Sequence, residues 1–164
     1  MYKKIILGID PGFQISGYSI LRIENQKSFV IDFGYLKMKS TDHLSKRVGQ
    51  FYFFFNEKIK EFKVTNLALE TPFLGKNIQT FLKLGYLRGS LYLLSDKYKL
   101  KIHEFSPREV KIAVTGFGGA SKDQVALMVL SMFPKLQKLP KIEKNDVTDA
   151  LAIGICGAWK CRIG

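Results

Sequence analysis

Three apolar segments at the start of the chain have the composition of β-strands, and they limit the folds that the rest can adopt. Residues 3–9 are rich in isoleucine and leucine, and strand-like segments 15–24 and 27–38 follow. Only Asn25 and Gln26 separate the latter two, which is typical of a β-hairpin. We therefore predict that this hairpin continues the first strand into a sheet.

Helical and strand-like patterns alternate in the rest of the chain. Apolar residues recur at helical spacing over 44–62, and Ser40 and Thr41 before them are candidate N-caps. The aromatic segment 51–55 is too dense for one amphipathic stripe, so we assign it to the core rather than to base stacking. The patterns that follow predict a strand over 64–70, a helix over about 77–98 and a strand over 99–105.

Two helix starts beyond residue 105 carry capping chemistry. Ser106, Pro107 and Glu109 have the order of an N-cap, a first-position proline and the partner residue of a capping box. This helix is expected to end near Gly116. A second helix is predicted to begin at 121–124, where Ser121 and Gln124 have the spacing of another capping box. The remaining segments are predicted as a mobile, lysine-rich connector over 135–144 and a last helix over about 145–159.

Three strands, a helix, and then strands that alternate with helices describe an α/β fold with a five-stranded mixed sheet flanked by helices. With 164 residues and no internal repeat, the chain is expected to form one domain over 1–164. No uncharged apolar run of about 18 residues is present, so a membrane span is not expected. The N-terminal segment lacks a small-residue cleavage site and fits a first strand better than a signal peptide.

The chain has a formal net charge of +12 at pH 7, from 26 Lys and Arg against 14 Asp and Glu. This excess indicates a polyanionic partner, and nucleic acid is favoured over a membrane because no basic amphipathic tail is present. Cys156 and Cys161, with His43 and His103, have no spacing of the kind that zinc sites use. This cysteine usage fits a reducing, cytoplasmic compartment.

Four carboxylates occupy positions from which they can converge. Asp10 and Glu70 each end an apolar strand, and Asp146 and Asp149 share one face at the start of the last predicted helix. Asp-Pro-Gly is also good turn chemistry, and acids near a helix N-terminus complement its dipole. Converging carboxylates repel one another unless a hard cation joins them, and all-oxygen ligation suits Mg²⁺ or Mn²⁺. Two such ions can cut a phosphodiester, so a nuclease is the first hypothesis.

The helix predicted over 77–98 has apolar residues on more than one face. Such a helix is buried twice, by its own sheet and by a neighbour. Gly85 and Gly89, four residues apart, would let a second helix approach closely, which favours a homodimer through this element. The alternative is a helix central to the monomer.

Five separated segments span nearly the whole chain: GIDPG, ALETPFLGKN, LKLGYLRG, SPREVKIAVTGFGGASKDQV and DVTDALAIG. In their order and rough spacing they resemble the RuvC family of Holliday-junction resolvases. The resemblance implies a ribonuclease H-like fold, a homodimer, and Mg²⁺-dependent symmetric nicking of four-way DNA junctions in recombination and repair. It further implies a branch-migration helicase complex as a partner.

The resemblance also implies residue roles by position. It assigns catalysis and the binding of two ions to Asp10, Glu70, Asp146 and Asp149, with Lys122 as a further catalytic residue. The residues it places near the DNA are Phe73, Lys111 and Lys122, with Lys76 and Arg88 as further candidates for phosphate contact. From the residues alone, Lys111 is equally a solvated helix lysine and Phe73 equally a core residue. Only Lys122, in the first turn after a Gly-rich loop, has local support as a phosphate ligand.

Other functions remain open at this stage. An actin-like or sugar-kinase ATPase also has an aspartate turn after its first strand, but it usually needs two domains. A junction-binding module without catalysis, or a ribonuclease H-like nuclease for another substrate such as RNA–DNA hybrid, would share much of the pattern. Thr71-Pro72 and Gly118-Gly119 depart from the family's usual residues, which leaves sequence preference and cleavage efficiency undetermined.

Overall fold

One five-stranded mixed sheet forms the centre of the computed structural model, which describes residues 3–72, 75 and 77–163. The strands are β1 (Lys4–Asp10), β2 (Ile15–Glu24), β3 (Lys27–Lys37), β4 (Asn66–Glu70) and β5 (Lys101–Phe105), in the order β3-β2-β1-β4-β5. The first three pair antiparallel, whereas β1, β4 and β5 run parallel to one another. The predicted α/β fold with a five-stranded mixed sheet is confirmed.

Five helices and one 3₁₀ segment connect and cover the strands. They are α1 (Leu44–Phe62), α2 (Ile78–Tyr98), α3 (Pro107–Thr115), α4 (Lys122–Met132) and α5 (Lys141–Ile163), with the 3₁₀ turn at Pro134–Lys138. None of the helices in the described ranges has the length and apolar character needed to cross a membrane.

Local sequence chemistry accounts for several of these boundaries. Asn25 and Gln26 have φ angles of 50° and 63°, the left-handed conformation that a two-residue hairpin turn requires. Ser106 forms a complete capping box at α3, and Ser121 forms another at α4, as predicted. Gly116 ends α3 with a φ of 77°, a conformation that glycine adopts without strain.

Several predicted boundaries were wrong. Strands β4 and β5 begin two residues later than predicted, at Asn66 and Lys101, and the last helix ends at Ile163 rather than near 159. Helix α1 begins after His43, which makes no side-chain cap bond, rather than after Ser40 or Thr41. The segment 135–144 is not a mobile connector, because Leu136 in the 3₁₀ turn is fully buried and anchors it to the core. The last helix begins at Lys141 rather than near Asn145.

The sheet separates two apolar clusters. On one face, Phe51 and Phe55 of α1 and Leu87 and Leu91 of α2 pack without solvent exposure. The aromatic segment 51–55 is therefore core in part, since Phe53 within it is 66% exposed. The other face is covered by α3, α4 and α5, with α5 lying across β1 and β2.

Helix α5 approaches β1 so closely that no side chain fits between their backbones. A Cβ atom on Gly8 would lie 2.6 Å from the amide nitrogen of Gly154 and 2.8 Å from the carbonyl oxygen of Ala150. A Cβ atom on Gly157 would lie 2.7 Å from that of Ala68. The buried Ser19 hydroxyl donates to the Ala150 carbonyl at 2.7 Å, which fixes the helix along the sheet. This contact sets where α5 places its polar residues relative to the end of β1.

Gly8→Ala tests this contact. The added methyl group meets only backbone atoms of α5, so the helix must move, and we expect a loss of about 1–3 kcal/mol in the free energy of unfolding, measured by urea denaturation. Gly75→Ala is the matched control, because Gly75 is exposed and its methyl group would have no atom within 4 Å. That change is expected to alter the free energy of unfolding by no more than about 0.5 kcal/mol. Equal effects of the two substitutions would contradict the role assigned to Gly8.

Candidate active site

Asp10 and Glu70 end the two neighbouring parallel strands β1 and β4. Because side chains alternate between the faces of a strand, Asp10 shares its face with Ile6 and Gly8, the face that α5 covers. Glu70 shares the same face with Ala68, which also packs in that cluster. The sheet therefore presents both carboxylates at one edge, towards α5.

Asp146 and Asp149 lie on α5, which faces this edge. The helix starts at Lys141, so Asp146 stands more than one turn from its N-terminus. Complementing the helix dipole is an effect of the first turn and does not account for these two acids. Their i, i+3 spacing places them on one side of the helix.

The structure brings all four predicted acids together in one cleft of about 410 Å³. Two predicted basic residues, Lys111 of α3 and Lys122 of α4, also line it. Apolar residues such as Val110, Val125 and Ile153 form its floor, which reduces the solvation of the charged groups.

The electrostatics of the cleft show uncompensated negative charge. Burial, and after it the repulsion from the nearby Asp149, Asp146 and Glu70 carboxylates, raises the pKa of Asp10 to about 8. The pKa of Glu70 and that of Asp146 are raised as well, in both cases first by burial and then by Asp149. Repulsion of this kind would be relieved by a cation placed among the four groups.

Lys122 supplies part of the missing positive charge. As the first residue of α4, it follows the Ser121 cap, and its Nζ lies 2.9 Å from an Asp149 carboxylate oxygen. The hydrogen bond to Asp149 raises the pKa of Lys122, so the ammonium form is favoured. Lys111 is half-buried in the cleft. Its charge and that of Lys122 offset part of the rise in the pKa of Glu70.

The remaining predicted site residues are not all in the cleft. Arg88 projects from α2 and donates to the backbone carbonyl oxygen of Glu70 at 2.8 Å, while its other amino group pairs with the Glu104 carboxylate. Arg88 therefore does not line the cleft of the four acids but an adjoining cavity of about 560 Å³, which Asp10 and Glu70 also line. Phe73 and Lys76 lie outside the described residues.

Comparisons with known proteins assign the chain to a family. Residues 6–157 match the family described as "Crossover junction endodeoxyribonuclease RuvC". The chain belongs to the RuvC family. The protein of that name from Chlorobium phaeovibrioides is 43% identical over 98% of this chain and 84% of its own length, and that from Chlorobium phaeobacteroides is 44% identical over 93% and 80%. The solved structure titled "T. thermophilus RuvC in complex with Holliday junction substrate" has a TM-score of 0.85 and 26% identity over 98% of this chain and 96% of that one.

The carboxylates of this RuvC-family chain have the donor chemistry that a hard divalent cation requires. They offer only oxygen atoms, and burial together with their mutual repulsion raises the pKa of Asp10 although Lys122 lies nearby. Within 3–72, 75 and 77–163, no three Asp, Glu, His or Cys side chains are yet close enough to hold an ion. Binding therefore requires the side chains to adjust, and Lys122 currently holds Asp149 at 2.9 Å.

Two residues near the site were not predicted from the sequence. Glu104 of β5 pairs with Arg88, and the Tyr92 hydroxyl of α2 donates to the same carboxylate at 2.8 Å. A charged residue inside the short predicted strand 99–105 was the available signal for Glu104. Nothing in the periodicity of α2 distinguishes Tyr92 from the other exposed residues of the helix.

The raised pKa of Asp10 predicts a pH-dependent stability for the metal-free protein. Because the folded state favours protonated Asp10, the contribution of Asp10 to stability is fully present below about pH 4 and is lost as the pH rises towards about 8. Asp10→Asn keeps the neutral form, so its melting temperature should exceed that of the unmodified protein by at least about 3 °C at pH 9 and match it near pH 4. Adding Mg²⁺ should stabilise the unmodified protein more than the variant.

Differential scanning fluorimetry in chelator, repeated from pH 4 to pH 9, measures this difference. Asp96→Asn, at an aspartate outside the cleft, controls for the loss of one negative charge. A melting-temperature difference for Asp10→Asn that does not change with pH would show that Asp10 is not held against the other acids.

Proposed function

We propose that this chain resolves four-way DNA junctions by paired, symmetric hydrolysis of phosphodiester bonds. The observation that carries the proposal is the convergence of Asp10, Glu70, Asp146 and Asp149 in one cleft of a RuvC-family chain. The formal charge of +12 supports a polyanionic substrate, because basic residues elsewhere can hold the DNA while the acids address one phosphate. The similarity to an RuvC solved with a Holliday junction supports a junction as that substrate.

The four acids are proposed to hold Mg²⁺, with Mn²⁺ as a substitute, and probe experiments should find two ions in each site. When bound, such ions activate water and stabilise the leaving oxygen of a phosphodiester. The protein's own contribution is the apolar floor, which keeps the carboxylates poorly solvated, and the cation of Lys122. Lys122 stands at the N-terminus of α4, whose backbone N–H groups favour an anion, so a phosphate can exchange for Asp149 as its partner. Lys111 is placed to contact the same phosphate from α3.

The outer face of α2 supports a homodimer. Leu82, Tyr86 and Leu93 on this helix are exposed, and a Cβ atom on Gly85 or Gly89 would meet nothing within 4 Å. An apolar groove of about 800 Å³ runs between α1 and α2 beside these glycines. A second copy of α2 would cover this surface, and the two-fold arrangement would supply one cleft for each of two symmetric cuts.

The family resemblance also supports two proposals about the cellular setting. A protein that acts on recombining DNA would work in the cytoplasm of a cell without a nucleus. A branch-migration helicase complex would deliver and move the junctions that this enzyme cuts.

A cleavage assay on a synthetic immobile four-way junction tests the activity. We expect paired nicks confined to the junction in Mg²⁺ or Mn²⁺ and none in chelator, with linear duplex and RNA–DNA hybrid as controls. Binding without nicks on several junction sequences would favour a structural module. Cleavage of the hybrid instead would retain the fold and the metals but overturn the substrate.

Two substitutions assign the chemistry to the cleft. Asp10→Asn should abolish nicking while junction affinity stays equal or rises, because a negative charge near a phosphate is removed. Lys122→Ala should slow nicking by about 10²-fold or more if Lys122 stabilises charge at the reacting phosphate. If Asp10→Asn still nicks the junction, the assignment of catalysis to the four acids is wrong. An unchanged rate for Lys122→Ala would mean that Lys122 is a solvated lysine without a catalytic role.

Leu93→Asp tests the dimer. Leu93 is 67% exposed, so the change should not unfold the monomer, but a charge in the proposed contact should shift sedimentation from dimer to monomer. Leu127→Asp is the matched control, since Leu127 is 66% exposed on α4 and should leave the dimer intact. A Leu93→Asp protein that still sediments as a dimer would place the interface elsewhere.

A further inference from the structure

The side chain of Arg88 is nearly buried, although an arginine that contacts DNA is expected on the surface. Its exposed fraction is 12%, and its guanidinium reaches from α2 to the end of β4. There it donates to the backbone carbonyl oxygen of Glu70 at 2.8 Å. An arginine fixed in this way is directed at the protein's own backbone.

The carbonyl group that Arg88 contacts lies where the pairing of β4 with β1 stops, although β4 still pairs with β5 there. The parallel ladder between β1 and β4 ends at the pair Ile9 and Leu69, one residue before Glu70. A polar backbone group at such a position needs a donor from elsewhere, and Arg88 supplies it. The hydrogen bond therefore holds the backbone of the residue whose carboxylate faces the cleft.

The guanidinium is itself aligned by two residues. Its second amino group pairs with the Glu104 carboxylate, and the Tyr92 hydroxyl donates to the same carboxylate oxygen at 2.8 Å. Glu104 precedes Phe105, which is the register partner of Glu70 across the β4–β5 ladder. Arg88 thus connects the adjacent strands β4 and β5 to α2. The Glu104 carboxylate also neutralises the positive charge of Arg88, which would otherwise attract a phosphate.

We propose that Arg88 is a positioning residue for Glu70, held in place by Glu104 and Tyr92, rather than a ligand of the DNA backbone. The proposal rests on the proposed function, in which Glu70 holds a metal ion. Loss of the guanidinium would let the end of β4 move, so Glu70 would bind the ion less well. Groups that orient metal ligands from outside the ligand set have effects of about 10- to 100-fold on metal affinity or activity.

The test compares Arg88→Gln, Arg88→Lys and the control Arg162→Gln. Arg162 also donates to a backbone carbonyl, that of Gln26, but at the far end of α5 from the acids. Three quantities are measured for each protein: the nicking rate with all junction bound, the junction Kd with its salt dependence, and the Kd for Mn²⁺ of the DNA-free protein by calorimetry. Circular dichroism verifies that each protein is folded.

For Arg88→Gln we expect the saturated nicking rate to fall, and the Mn²⁺ Kd to rise, by about 10- to 100-fold. The junction Kd and its salt dependence should match those of Arg162→Gln. Arg88→Lys should recover part of the loss, because lysine keeps the positive charge but lacks the forked guanidinium whose two amino groups reach the Glu70 carbonyl and the Glu104 carboxylate. If Arg88→Gln does not fold, Tyr92→Phe decides by the same measurements, with a smaller loss expected.

Two results would overturn the proposal. If Arg88→Gln weakens junction binding and reduces the salt slope by about one while the saturated rate is unchanged, Arg88 is a phosphate contact. If neither the rate nor the Mn²⁺ Kd changes, the contact with Glu70 has no role in the site. Should the unmodified protein nick no junction, the proposed function fails, and the Mn²⁺ Kd alone then decides whether Arg88 positions Glu70.

Discussion

The backbone contact between α5 and β1 is the constraint on which the cleft depends. Where Gly8 faces Gly154, the added carbon of any other side chain would lie 2.6 Å from a backbone atom, so helix and strand touch directly. Asp10 lies two residues after Gly8, on the same face of β1. On α5, Asp146 and Asp149 lie within the turn before Ala150, which contacts this strand. Close packing is thus what turns carboxylates from two elements into one charged group. Larger residues at this contact would push α5 away from β1 and so separate the carboxylates that the two elements carry.

The clustering of the four carboxylates destabilises the folded protein but gives it a site that can bind a cation. The sheet edge and α5 bring the acids together in a partly apolar cleft. Burial and repulsion between the carboxylates raise the pKa of Asp10 to about 8, so ionised Asp10 destabilises the folded state. Lys122 offsets some of the repulsion through Asp149, and the rest is left for a cation to relieve. A structure optimised for stability alone would replace at least one of these acids. Their retention at one edge is the strongest physical argument for a metal-dependent site.

Features encoded by local chemistry could be predicted from the sequence. The Asn25-Gln26 turn, the capping boxes at Ser106 and Ser121, and the acids at two strand ends all follow from neighbours a few residues apart. The structure of 135–144 was missed, because its lysine-rich composition is typical of a connector, while the burial of Leu136 follows from packing that no local pattern specifies. The partners of Arg88 were missed for the same reason, since Glu70 and Glu104 meet it only through the packing of α2 on the sheet. The roles of Lys111 and Phe73 came from family resemblance rather than from their surroundings.

The two faces of the sheet contribute differently to the four acids. Helix α5 carries Asp146 and Asp149 directly, whereas α2, on the opposite face, contacts the site through the hydrogen bond from Arg88 to the Glu70 backbone. The outer surface of α2 is also the proposed contact between subunits. One helix would then join the partner on one side and support a metal-binding strand end on the other. An enzyme that must make two matched cuts gains from this arrangement, because a subunit whose α2 is unsupported would also hold Glu70 less firmly.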